Sequence, residues 1–138
     1  MAAKTVRQAR EKARSNPIVA SILDADDIPY QDEEVPEWGG VRLRIRGLDG
    51  AARNWYETQL WQIRARAESD EMSIDSRGSR NAQLLSQCLY DPDTDERLPI
   101  TADQLAAKSG AVLARLATIA LQLSGMGPRA VEAAEKNS

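Results

Sequence analysis

A small α+β domain, predominantly helical, with an N-terminal β-hairpin packed on a bundle of about four helices, is the fold class that the sequence predicts. Three observations predict it. Val41, Leu43 and Ile45 alternate with Arg42, Arg44 and Arg46, the two-residue period of a half-buried strand. Beyond Gly47 the period lengthens, and Ala52, Tyr56, Leu60 and Ile63 fall on one helical face. Further along, Val112, Leu113, Leu116, Ile119, Ala120 and Leu123 form an apolar stripe of helical spacing, which reads as internal core. With 138 residues the chain is long enough for one domain with a modest core.

Taken in order, residues 1–16 are charged and weakly helical, and a helix there must end before Pro17. Pro17 to Leu23 continues as a short helix, and Asp24, Asp26 and Asp27 mark a break. Residues 1–26 are therefore expected to form a flexible or partly helical segment, and residues 27–138 a single domain. Ile28 to Val35 reads as a first strand, placed at an edge by Pro29 and Pro36. Trp38-Gly39-Gly40 is the turn and Val41 to Arg46 the second strand. Asp49 caps a helix running to about Glu68, and polar Ser69 to Gly78 reads as a loop. The next helix is expected over Ser79 to Tyr90, with Ala82, Leu85 and Leu89 inward. Asp91 to Arg97 reads as a charged loop and Leu98-Pro99-Ile100 as an extended piece. Thr101 and Gln104 make a capping-box pattern. Ser109 caps the helix that carries the long stripe, and Gly125 stops it. Pro128 opens a last short helix to Glu135.

Composition narrows the function classes. There are 18 basic and 21 acidic residues, a net charge of −3, which argues against a general nucleic-acid binder but leaves room for a local basic face. Histidine is absent, which removes His-based triads and His metal sites. The one cysteine, Cys88, lies among Leu84, Leu85 and Leu89 and reads as a small buried hydrophobe. A lone thiol fits a reducing compartment. The N-terminus has no apolar run of a signal peptide, and Ala111 to Leu123 falls short of the roughly 18 apolar residues of a membrane span. The expectation is a soluble, cytosolic protein that is not an enzyme, with no cofactor and no metal.

Several residues invite a sharper reading. Asp91-Pro-Asp-Thr-Asp95 begins like a calcium loop, but Glu96 and Ala102 stand where that loop needs Gly and Glu, so it reads as a polar turn. Arg42, Arg44 and Arg46 form a basic ridge that Arg53, Arg64 and Arg66 can extend. It serves either as a groove for an acidic partner or nucleic acid, or as a solvated face paired with Asp32, Glu33 and Glu34 of the first strand. The second alternative carries more weight. Trp55 and Trp61 lie six apart and cannot share one stripe; Trp55 is assigned to the core, while Trp61 and Trp38 stand between core and contact surface. The candidate partner-binding residues are thus Trp38, Arg42, Arg44, Arg46, Trp61 and Arg64.

An ordered set of segments carries a resemblance. It comprises Val35-Pro-Glu-Trp-Gly, Val41-Arg-Leu-Arg-Ile-Arg-Gly-Leu and the helix-opening Asp49-Gly-Ala-Ala-Arg. It continues with Tyr90-Asp-Pro-Asp-Thr-Asp-Glu-Arg-Leu-Pro-Ile, Leu105-Ala-Ala-Lys-Ser-Gly-Ala-Val-Leu-Ala-Arg-Leu, Leu123-Ser-Gly and Glu135-Lys-Asn-Ser. In order and spacing, from about Ile28 to Ser138, the chain resembles the tail assembly chaperones of long-tailed bacteriophages.

The resemblance implies a non-enzymatic protein of the host bacterial cytoplasm, absent from the mature virion. It implies binding to the tape measure protein and recruitment of the tail tube protein. It also implies two forms made by ribosomal frameshifting, with the shorter one associating with itself or with the extended form. Glu135-Lys136-Asn137 can be encoded GAA-AAA-AAC, which contains the slippery heptamer A-AAA-AAC. The rivals are a structural tail or connector component of the virion, and a nucleic-acid-binding module using the Arg42/Arg44/Arg46 face.

Overall fold

The computed structural model of the chain describes residues 15–68 and 74–126, with side chains over residues 15–65 and 80–126. Among these residues the architecture is α+β and mainly helical. The elements run α1 (Pro17–Asp24), β1 (Tyr30–Val35), a 3-10 turn (Pro36–Trp38), β2 (Val41–Arg46), α2 (Gly50–Glu68), α3 (Ile74–Cys88), β3 (Leu89–Tyr90), α4 (Ala102–Ala106) and α5 (Gly110–Leu123). The proposed helix over Pro128–Glu135, the helical reading of residues 1–14 and the side chain of Arg66 lie outside what is described.

Local chemistry explains the boundaries. Asn16 opens α1, its Oδ1 accepting from the backbone N–H groups of Ile18 at 2.9 Å and Val19 at 3.3 Å, and Pro17 occupies the first helical position. The hairpin turns through two glycines in the left-handed region, Gly39 at φ 75° and Gly40 at φ 74°. Asp49 Oδ1 accepts from the N–H of Ala52 at 2.8 Å and so caps α2. Thr101 and Gln104 form the reciprocal capping box of α4. At the end of α5, Gly125 takes φ 71° and the N–H of Met126 reaches back to the Leu121 carbonyl at 2.8 Å, a Schellman closure.

The sheet has the order β1-β2-β3, antiparallel throughout. In β1–β2, Val35 faces Val41, Glu34 faces Arg42, Asp32 faces Arg44 and Tyr30 faces Arg46. β1 is the edge expected from its prolines. It also carries the half-buried carboxylate of Glu33 on the core side opposite Leu43, a charge placement that discourages further strand pairing.

Three sequence expectations are corrected. The sequence runs one helix through Tyr90, whereas α3 stops at Cys88, and Leu89 and Tyr90 form a third strand that pairs with Ile45 and Arg44. Leu89 satisfies both the helical stripe of Ala82 and Leu85 and a strand facing the core, so its period decides nothing. Part of the expected Ser69–Gly78 loop is helix, because α3 already begins at Ile74. The first strand starts at Tyr30 rather than Ile28, where Pro29 has no N–H to give a ladder.

α3 is the central element, touching α2, α4, α5 and β2. Around it lie Val35, Leu43 and Ile45 from the sheet, Tyr56 from α2, Leu84, Leu85 and Cys88 from α3 itself, Leu105 from α4, and Val112, Leu113, Leu116 and Ala120 from α5. The long stripe is internal, with Ile119 and Leu123 partly buried at its margin. Burial of Cys88 pushes its thiol up to about 12, so it stays protonated and packs as a hydrophobe. None of the described helices is long and apolar enough to cross a membrane.

Candidate partner-binding surface

The register that puts Leu43 and Ile45 into the core puts Arg42, Arg44 and Arg46 on the outer face of β2. Two of the three are already held. Arg44 Nε donates to Asp32 Oδ1 at 2.8 Å and Nη2 to Oδ2 at 3.2 Å, a two-pronged pair with its cross-strand neighbour. Its Nη1 reaches Asp95 at 3.4 Å, and the guanidinium lies 4.0 Å from the centre of the Tyr30 ring. Arg46 Nη1 donates to both carboxylate oxygens of Asp95, at 3.1 and 2.9 Å, and Nη2 donates to Asp26 at 3.3 Å.

Asp95 therefore bridges Arg44 and Arg46, and it does so from a left-handed backbone, φ 57°, uncommon for a residue with a side chain. The Arg44 guanidinium beside Asp32 holds that carboxyl below its ordinary range, and the pairing raises Arg44 in turn. The sequence anticipated Asp32 as a partner. Asp95, 51 residues beyond Arg44, was not foreseen; it belongs to the Asp91–Asp95 run, whose first carboxylate accepts from the N–H of Asp93 at 2.8 Å as in a polar turn. Among the described residues no group of three or more carboxylate or thiol side chains is placed to hold a metal ion.

The other candidates separate. Arg42 is exposed and has no ion pair among the described residues. Trp38, at the hairpin tip, packs partly buried against the core. Its neighbour Glu37 is clasped by Arg115 of α5, with contacts of 2.6 and 3.0 Å, and this guanidinium pulls the Glu37 carboxyl down to about 2. Trp61, 74% exposed, and Arg64 lie one turn apart on α2, a different element from the hairpin arginines. So Arg44 and Arg46 come together in one network, Arg42 lies beside it, close enough for its charge to act on Asp32 without an ion pair, and Trp38 and the pair Trp61 and Arg64 stay apart.

Trp55, expected in the core, is 39% exposed, and Tyr56 takes the buried position instead. The sequence reads α1 as a short helix, but its apolar residues are not among the candidate contacts. Ile18, Ile22 and Leu23 are exposed and α1 buries no residue. The signal was present, since Ile18 and Ile22 sit four apart, but in a short segment an apolar pair looks the same whether it meets a core or solvent.

The chain is a small α+β domain in which Arg44 and Arg46 are held by carboxylates and the one thiol is sealed in the core. The sequence profile of phage tail assembly chaperones matches residues 22–137, and the chain belongs to this family. In fold it is similar to the tail assembly chaperone of bacteriophage HK97, with a TM-score of 0.54 and 20% identity over 78% of this chain and 98% of that one. No curated protein is significantly similar to it. The protein is thus a phage tail assembly chaperone, and most of α1 precedes the matched region.

Proposed function

We propose that this chaperone binds the tape measure protein, keeps it soluble until the tail tube forms around it, and helps recruit tube subunits, with no covalent chemistry. It acts in the host bacterial cytoplasm and leaves before the virion is complete. Residues 27–138 form the chaperone domain and residues 1–26 a separate segment. The observation that carries this reading is apolar surface left open on helices: Ile18, Ile22 and Leu23 on α1 and Trp61 on α2. Exposed apolar positions at helical spacing suit capture of another amphipathic helix. Of the six candidate contacts, Trp61, Arg64 and Arg42 are the most available, because Arg44 and Arg46 already hold carboxylates.

The chain is further proposed to be the short form of a frameshifted pair, with the slip at Glu135-Lys136-Asn137. Coding DNA reading A-AAA-AAC there, followed by an overlapping minus-one frame, supports this; codons that cannot slip remove it. The chaperoning role is tested by expressing the tape measure protein alone and with this chain. A shift of the tape measure protein from pellet to supernatant, with the two co-purifying, supports the reading. An unchanged pellet contradicts it.

A further inference from the structure

Where the end of β2 meets the start of α2 and the 91–97 loop, an open cleft of about 340 Å3 is lined by Ile28, Leu48, Trp55 and Tyr90, with Arg46, Arg97 and the helix-capping Asp49 beside them. The two arginines differ. Arg46 is held by Asp95 at 2.9 Å and by the largely exposed Asp26 at 3.3 Å. Arg97 donates to the amide oxygen of Gln87 at 2.7 Å, and among the described residues no carboxylate lies within ion-pair distance of it. Trp55 is part-exposed although it is large enough to be worth burying.

Asp26 pairs with Arg46 from outside the lining, while Ile28, two residues on, belongs to it. Trp55 and Arg97, both in the lining, offer an apolar face and a guanidinium without a carboxylate partner among the described residues. An apolar surface supplies affinity, and an uncompensated guanidinium with a planar fork selects a carboxylate. Trp and Arg are also the side chains that most often dominate interface energies.

We propose that this cleft docks a client segment that presents a carboxylate next to a large aliphatic side chain, the aliphatic group against Trp55 and the carboxylate on Arg97. The occupant follows from charge complementarity with Arg97, which has no ion pair among the described residues, and from the part-exposed apolar face of Trp55. The proposal rests on the reading above that the client is the tape measure protein, and it adds where and by what chemistry that client is read.

The test uses overlapping synthetic peptides spanning the tape measure protein and the full chain as wild type, Trp55→Ala and Arg97→Glu. Both side chains reach the surface, and melting curves verify that the variants fold. Peptides that bind are expected to pair Asp or Glu with a neighbouring Leu, Ile or Val. Arg97→Glu is expected to weaken them about tenfold or more, the loss of a charge-assisted contact. Replacing the peptide carboxylate by Lys is expected to restore binding to Arg97→Glu. Undiminished binding by both variants overturns the docking site and leaves the chaperone role standing. No peptide binding by the wild-type chain, together with no solubilisation of the tape measure protein, overturns both. Variants that change only the sedimentation of the chain itself assign the cleft to contact between copies, and that too overturns the proposal.

Discussion

Gly47 lies directly against the carbonyl of Leu123: a Cβ at Gly47 would sit 2.9 Å from the carbonyl carbon and closer still to its oxygen. The contact seals the end of β2 onto the end of α5. It is reinforced where the N–H of Leu48 donates to Ser124 Oγ at 2.9 Å and that hydroxyl donates to the Ala120 carbonyl at 2.7 Å. The Gly47 N–H also donates to the Pro29 carbonyl at 3.0 Å, so three segments meet at one residue. A backbone obstacle cannot rotate away as a side chain can, so Gly47→Ala is expected to lower stability by about 1–3 kcal/mol. Urea unfolding followed by tryptophan fluorescence measures it; a midpoint equal to wild type would show that the seam is looser than described.

Glu37 and Arg115 tie the hairpin tip to α5, and their pair gives a pH signature. Glu37 titrates near 2 in the folded chain against an ordinary value of 4.5, so its contribution is present above about 4.5 and is lost as pH falls toward 2. The pair is solvent-exposed, so the effect is small and weakened by salt. Arg115→Ala is expected to melt below wild type at neutral pH, with the difference closing as the pH approaches 2. A difference independent of pH would assign the loss to packing of the arginine stem.

Arg44 is expected to act on the fold before it acts on any partner. Arg44→Glu sets a third carboxylate beside Asp32 and Asp95, so it should lower the melting temperature, and Asp32→Lys in the same chain should recover part of the loss. Normal melting with impaired client binding would instead make the ridge a contact surface.

How far the sequence reveals this arrangement depends on the range of each contact. The strand carrying Leu43 and Ile45 declares itself by alternation, the caps at Asp49, Thr101 and Ser109 lie within three residues of what they satisfy, and the α5 stripe is periodic over four turns. Asp32 opposite Arg44 follows from folding the hairpin on itself. Asp95 on the arginines, Glu37 on Arg115 and Gly47 on Leu123 join positions distant in the chain, and no local pattern encodes them. Leu89 and Tyr90 form too short a strand to show a period of their own. The Trp55–Arg97 cleft is equally silent, since it arises where three separate segments converge.

Cys88 is expected to be inert in the native state. It is fully buried among leucines with its thiol pushed up to about 12, so a thiol reagent at pH 8 should react at the rate of unfolding and at full rate in denaturant. Rapid labelling of the folded chain would mean that α3 opens locally.

The central claim is that this chain serves assembly without joining the product. Its most direct test is quantitative mass spectrometry of infected-cell lysate and of purified particles from the same culture. The account predicts the chain in the lysate, in complexes with the tape measure protein, and none in particles. A fixed number of copies per particle would contradict it and identify a structural tail component instead.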